Sequence, residues 1–151
     1  MARGNFRPSE EDALSRLQQL CSTKEYCSFD LTQKLTQWGI EDGTRILERL
    51  MEDKFLDEQR YASAFANDKW KFGKWGRQKI AYALRGKHIP DNIIEEAFAN
   101  IDEEAYTEMV KNELEKKRKS IKEKDEFKLK QKLFRFAQSR GYELDLVGRI
   151  F

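Results

Sequence analysis

Between Lys69 and Lys87 the sequence KWKFGKWGRQKIAYALRGK carries seven cations (Lys69, Lys71, Lys74, Arg77, Lys79, Arg85 and Lys87) and no acid. Trp70, Phe72 and Trp75 alternate with the first of them. Ammonium and guanidinium groups attract phosphate or carboxylate, and aromatic faces stack on bases or cover an apolar patch. The chemistry expected here is therefore binding, to a polyanion or to an acidic groove on a protein. Trp70 and Phe72 are expected to close the core at a helix end, whereas Trp75, between Gly73 and Gly76, stays open between core and contact residue.

Catalysis has little to stand on. The one histidine, His88, lies in the turn GKHIP, so neither a Ser-His nor a Cys-His pair is available. The acid pairs Glu95–Glu96 and Glu103–Glu104 are neighbours in sequence and point about 100° apart on a helix, which suits a solvated face better than a shared metal. GKWGR lacks the spacing of a phosphate-cradling loop and the Ser or Thr that follows its lysine. Cys21 and Cys27, with a single histidine, cannot complete a structural zinc site and are expected as reduced thiols. A protein that is not an enzyme, with no cofactor or metal, is the expectation.

The net charge of +2 hides a segregated distribution. Residues 91–104 hold six acids and no base, and residues 111–135 hold eleven bases against five acids. Such asymmetry bears on partners rather than on fold. The lysine-rich run 116–126 fits either a nucleic-acid track or an exposed helix that bridges its own charges. Neither an apolar signal core nor a run of about 20 apolar residues is present, so a cytoplasmic protein without membrane contact is expected.

Helical periodicity positions these groups. Pro8 and Ser9 followed by Glu10, Glu11 and Asp12 predict a helix start, and Leu14, Leu17, Leu20 and Cys21 its apolar face. Further faces follow at Leu31–Leu35–Trp38, then Ile46, Leu47, Leu50 and Met51, then Tyr61, Ala62, Phe65 and Ala66. Ile80 and Leu84 mark a fifth helix, leaving Arg77, Lys79, Arg85 and Lys87 for solvent or a partner. Pro90 opens a sixth, with Ile93, Ile94, Ala97 and Phe98. The seventh carries Tyr106, Met109, Val110 and Leu114, continuing at Ile121. The eighth carries Leu129, Leu133, Phe136 and Ala137, and a short terminal helix carries Leu146, Val147, Ile150 and Phe151.

These nine helices fall into three sets of three. Leu31, Leu35, Gly39 and Ile40 match Ile80, Leu84, His88 and Ile89, and then Leu133, Ala137, Gly141 and Tyr142, with identical spacing. The period is about 50 residues, within the range of repeated helical units. The fold expected is all-α, three tandem three-helix repeats in an elongated, curved molecule. Its divisions are a flexible tail at 1–8 and repeats at 9–55, 56–101 and 102–151. A monomer is expected, because no heptad seam remains once the core faces are assigned.

The middle repeat resembles a known signature. LDEQRYASAF at 56–65 and KWGRQKIAYALRGKHIP at 74–90 are similar to that of the RecX regulatory proteins. It reads roughly Leu-Asp-Asp-x-Arg-[Tyr/Phe]-Ala-x-x-[Phe/Tyr], then Gly-x-x-[Arg/Lys]-Ile-x-x-x-Leu-x-x-Lys-Gly-Ile. The matching positions are Leu56, Asp57, Arg60, Tyr61, Ala62, Phe65, Gly76, Lys79, Ile80, Leu84, Lys87 and Ile89; Glu58 and His88 depart from it. The flanking thirds match in length and helical rhythm.

The resemblance implies three tandem three-helix units. It also implies a modulator of the RecA recombinase that lies along the RecA–DNA filament and mostly inhibits its recombinase, ATPase and coprotease activities, in DNA repair and the SOS response. The motif residues Leu56, Asp57, Arg60, Tyr61, Ala62, Phe65, Gly76, Ile80, Leu84 and Ile89 are expected to be mainly structural. Lys69, Lys71, Lys74, Trp75, Arg77, Lys79, Arg85 and Lys87 are expected to meet the partner: the filament, with single- or double-stranded DNA as a further candidate. Reversing Lys74, Arg77 and Lys79 to Glu is expected to weaken inhibition without unfolding the chain. Two other classes stay open, a sequence-tolerant DNA-binding module acting without RecA and a helical protein–protein scaffold.

Overall fold

The structure, a computed structural model, describes residues 8–151, so the tail expected at 1–8 lies, apart from Pro8, outside the described residues. Among the described residues there are nine helices and no strand. They are α1 (Glu10–Thr23), α2 (Ser28–Gln37), α3 (Thr44–Glu52), α4 (Glu58–Lys71), α5 (Arg77–Gly86), α6 (Asp91–Ala99), α7 (Glu103–Ser120), α8 (Glu126–Arg140) and α9 (Leu144–Ile150). None is long and apolar enough to cross a membrane.

The repeat visible in the sequence is a repeat of local chemistry. The first helix of each set is capped by a short polar side chain three residues ahead of the N–H it receives. Ser9 Oγ accepts from Asp12 N at 3.1 Å, Asp57 Oδ1 from Arg60 N at 2.9 Å and Asp102 Oδ1 from Ala105 N at 3.1 Å. Such caps satisfy N–H groups that have no partner within the helix.

The second helix of each set also ends in one way. Gly39, His88 and Gly141 have φ of 83°, 62° and 83°. The next residue then donates to the carbonyl five back: Ile40 N to Leu35 O at 2.9 Å, Ile89 N to Leu84 O at 3.1 Å and Tyr142 N to Ala137 O at 2.9 Å. This left-handed exit turns the chain and drops an apolar residue back onto the helix it has left. His88 does so without being a glycine, and its ring lies edge-on to Phe29 at 4.7 Å.

Two cores result. Ala13, Leu17, Leu31, Leu35, Ile46, Leu50 and Leu56 form one within the first set. A larger one runs without a break through the second and third sets, from Tyr61, Ala62 and Trp70 through Ile80, Leu84 and Tyr106 to Tyr142 and Val147. The architecture is three tandem three-helix units, with units two and three fused and unit one holding a core of its own. A chain of small cores in series, rather than one central core, gives the elongated, curved form.

Some positions differ from the sequence reading. Phe72, expected in the core, is 80% exposed, because α4 ends at Lys71 and the chain leaves the core before that side chain could turn inward. Met51 is also exposed, at the far end of the short α3. Ile121 is not part of the α7 face: it caps the helix with extended backbone at φ −89° and ψ 124°. Pro90 stands just before α6 rather than within its first turn.

The seam between units two and three depends on two glycines. Gly76 N donates to Arg140 O at 2.7 Å, and Gln78 N donates to Gly141 O at 3.0 Å. A Cβ on Gly76 would lie 2.2 Å from Gly141 O, and one on Gly141 would lie 2.4 Å from the backbone N of Lys79. Neither neighbour is a flexible side-chain tip.

Gly76→Ala and Gly141→Ala are each expected to destabilise the chain by about 2–4 kcal/mol, the range of severe backbone clashes, and the second also imposes left-handed strain. Gly86→Ala, a helical site with nothing within 4 Å, is expected to stabilise by up to about 1 kcal/mol. Urea midpoints check all three, and a neutral Gly76→Ala would contradict the seam. Cys27 is fully buried, with its thiol pushed by burial from 9.0 up to about 11, whereas Cys21 is half-buried. A folded-state thiol titration is therefore expected to count Cys21 first and Cys27 only on unfolding. Because the folded value lies above the ordinary one, the stability linked to the neutral thiol is complete below about pH 9 and is lost as pH rises toward about 11.

Candidate partner-binding face

The loop Phe72–Gly76 and the start of α5 place the cationic stretch on the second unit, over the seam with the third. Trp75 is half-buried, its ring edge-on to Phe65 at 6.3 Å. Lys69 and Lys79 bring their ammonium groups to 4.9 Å and 4.5 Å from the Trp75 ring. Trp75 is thus both a packing residue and the floor of a cationic surface, with attraction between ammonium and ring face holding the lysines there. Lys71 is exposed, 5.8 Å from the Trp70 ring, and Trp70 itself is buried.

Lys74 is held in a left-handed conformation, φ 59°, with Nζ donating to Lys71 O at 2.8 Å. Its carbonyl receives the Tyr142 hydroxyl at 2.7 Å, so its backbone belongs to the seam while its side chain reaches back to the end of α4. Beside Lys71 and Lys74 an open groove of about 620 Å³ runs along α7 past Met109 and Glu113.

The seven cations divide into two groups. Lys69, Lys71, Lys74 and Lys79 have no carboxylate partner among the described residues; Arg77, Arg85 and Lys87 do. Arg77 is tied most tightly. Its side chain is 16% exposed, and it bridges Glu103 at 2.6 Å and Glu143 at 2.8 Å. The guanidinium lies 4.0 Å from the Tyr106 ring centre. Arg77 N donates to the Tyr106 hydroxyl at 2.9 Å, and that hydroxyl in turn donates to Glu143.

Burial opposes charge on Arg77, but the hydrogen-bonded carboxylates of Glu143 and Glu103 outweigh it and its pKa is raised. The Tyr106 hydroxyl is raised as well, by burial first and then by the Glu143 carboxylate. Arg77 is thus a structural clamp between units, and a carboxylate in its place would face Glu103 and Glu143. The expectation that reversing Lys74, Arg77 and Lys79 together leaves the fold intact is corrected accordingly.

Lys87 does the same work at the other seam, reaching Asp30 of α2 at 2.6 Å. There Arg60 pairs with Glu25 at 3.0 Å, and Ser28 N donates to the Glu58 carboxylate at 2.9 Å. Arg85 pairs with Asp91 at 2.9 Å between two exposed side chains, a bond of little energetic weight. Asp91 and Glu103 both come from the acidic block 91–104, so part of the charge segregation along the sequence is cancelled within the fold. Sequence reasoning missed Tyr106, Glu103 and Glu143 as partners of Arg77, since they lie 26 to 66 residues away from it.

The motif residues are distributed through the packing. Leu56 enters the core of the first unit; Tyr61, Ala62, Ile80, Leu84 and Ile89 enter the shared core, with Phe65 packed against it. Asp57 caps α4. His88 is exposed at its turn, and no three His, Cys, Asp or Glu side chains among the described residues come together as a metal site.

Comparison with known proteins places this arrangement among others. Residues 57–97 match the family model of the second three-helix domain of RecX, and residues 103–151 that of the third. The regulatory protein RecX of Clostridium perfringens strain SM101 is 38% identical over 125 residues, covering 80% of this chain and 58% of that protein. That of Clostridium tetani is 32% identical over 142 residues, covering 91% and 63%. The chain therefore spans less than two thirds of the length of these relatives. The crystal structure of RecX from Lactobacillus salivarius superposes with a TM-score of 0.84 at 17% identity, covering 93% of each chain. A second crystal structure, of regulatory protein RecX, does so at 0.82 and 21% identity, covering 93% of this chain and 72% of that one.

Arg77→Met is expected to destabilise the chain by about 2–4 kcal/mol, because it leaves two carboxylates and a tyrosine hydroxyl at the seam without their cation. Lys71→Ala, on the open surface, is expected to stay within about 0.5 kcal/mol. Equal effects in thermal or urea unfolding would remove the distinction between clamp and free cations.

Proposed function

Because the chain belongs to the RecX family of regulatory proteins, we propose that it binds the RecA–DNA filament and mostly inhibits its recombinase, ATPase and coprotease activities. The observation that carries the residue-level reading is a set of four lysines without carboxylate partners, Lys69 and Lys79 on the Trp75 ring and Lys71 and Lys74 beside the neighbouring groove, on a block of two units that share one core. Regulation of this kind works by occupancy. It needs a long surface whose charges and aromatic faces are fixed in advance, so that little ordering is left to do on binding.

In this reading the lysines dock against filament acids and exposed phosphate, with Trp75 covering the apolar part of the contact. Arg77 and Lys87 hold the face in shape rather than meeting the partner, and Arg85 is left exposed beside it. The other units reach neighbouring recombinase subunits. Linking several weak contacts in one chain raises the affinity for a filament far above that for a free subunit. The same charges speed encounter and make it salt-dependent.

The test is DNA-dependent ATP hydrolysis by the cognate RecA. Lys69→Glu, Lys71→Glu and Lys79→Glu together are expected to raise the concentration needed for inhibition at least about tenfold, since each charge reversal costs of the order of 1 kcal/mol or more at a complementary interface. The unfolding midpoint is expected to stay close to that of the parent chain. Undiminished inhibition would remove this face from the reading. DNA binding without RecA, together with no effect on RecA hydrolysis, would favour the stand-alone DNA-binding alternative.

A further inference from the structure

A second cationic concavity lies on the third unit, away from the signature stretch. It has a volume of about 360 Å³ and is lined by Lys117, Ile121, Lys132, Arg135, Phe136 and Ser139. Four of these come from one face of α8, at spacings of three, four and seven residues from Lys132; Lys117 comes from the last turn of α7 and Ile121 from its cap. No carboxylate lines it.

The side chains are arranged in two layers. Ile121 and Phe136, both half-buried, make an apolar floor. Lys117 stands 5.4 Å from the Phe136 ring centre, and Arg140 approaches the same ring at 4.7 Å. Lys132 is held 3.1 Å from Glu123, Arg140 is paired with Glu113 at 3.2 Å, and neither Lys117 nor Arg135 has an ion pair among the described residues. Ser139 donates its hydroxyl proton to Phe136 O at 2.7 Å, leaving only lone pairs toward the cavity. The pocket's lining therefore holds three cations, of which one is paired with a carboxylate, and the negative end of α7 is offset by Lys117, Arg118 and Lys119.

We propose that this pocket holds a phosphodiester group of a nucleic-acid strand. Charge alone would equally suit an acidic peptide, but two features favour the strand. The apolar floor beside the cations accommodates a sugar or base attached to the phosphate, which a carboxylate side chain does not bring. Lys128, Lys132 and Arg135 also form a row along α8 with about one helical turn, roughly 4.5–6 Å, between neighbours. A strand with one charge per residue can meet every cation in that row, whereas a peptide does so only where its acids happen to share the spacing. The site is independent of the recombinase and stands whether or not the central face meets a filament.

The experiment is an anisotropy titration of labelled single-stranded oligothymidylate with the full chain, without RecA, over a range of salt. Lys117→Gln with Arg135→Gln is expected to weaken binding about tenfold and to reduce the slope of log K against log salt by about 1.4, two phosphate contacts at about 0.7 each. Glu123→Gln, which frees Lys132, is expected to tighten binding several-fold. An unlabelled oligonucleotide is expected to compete far better than poly-glutamate of equal charge. An unchanged affinity and slope in the double variant overturns the site. Equal competition by poly-glutamate overturns the assignment to nucleic acid and gives the pocket to an acidic peptide.

Discussion

Two helix ends, brought together with nothing between them, hold this molecule in shape. The free N–H groups at the start of α5 point at the carbonyls at the end of α8, and the contact is possible because Gly76 and Gly141 present bare backbone to one another. Each helix supplies what the other lacks, since one end has donors without acceptors and the other acceptors without donors. The opposite signs of the two ends add a favourable dipole interaction. Around this contact the Tyr106 hydroxyl takes the N–H of Arg77, and the guanidinium of Arg77 gathers Glu103 and Glu143. Units two and three then share one core and behave as a single block.

The same seam decides which charges face outward. A cation at the start of a helix is poorly placed with respect to the helix dipole, yet Arg77 sits there, and its two carboxylates offset that cost. The acidic block after Pro90 supplies one of them, and a partner for Arg85 besides. What is left uncompensated is a set of four lysines, two on the Trp75 ring and two beside the groove at Trp70. A surface of that kind is preorganised, because two of its lysines are held on the indole ring and a third on a backbone carbonyl.

The first unit is attached by different means. Its core is completed by Leu56 from the start of the second unit, and its other contacts to that unit include ion pairs, a backbone-to-carboxylate bond and the Phe29–His88 ring contact. Cys27 from the first unit joins the larger core, and Phe29 packs against it as well. In the third unit the lysine-rich run combines two behaviours that seemed to compete in the sequence. Glu113–Lys116 and Glu115–Arg118 bridge within α7, while Lys117 and Arg135 remain free of carboxylates beside an apolar floor.

Local interactions made most of the fold legible from the residues alone. Helix existence, order and number followed from the spacing of Leu, Ile, Ala and aromatic side chains. The threefold repeat followed from residues that do the same short-range job each time: Ser9, Asp57 and Asp102 as caps, and Gly39, His88 and Gly141 as left-handed exits. The signature at 56–89 was legible for the same reason, and family membership with it. Phe72 was misplaced because its exposure depends on where one helix stops, which periodicity cannot say to within a residue or two. The division of the seven cations was beyond reach of the sequence. Whether Arg77 faces a partner or a neighbour depends on Glu143, 66 residues away, and on a backbone approach that only two glycines in different units permit. Short-range chemistry, which the sequence states directly, determined the nine helices and their repeat; the packing of one unit on the next decided which of its charges were left to act.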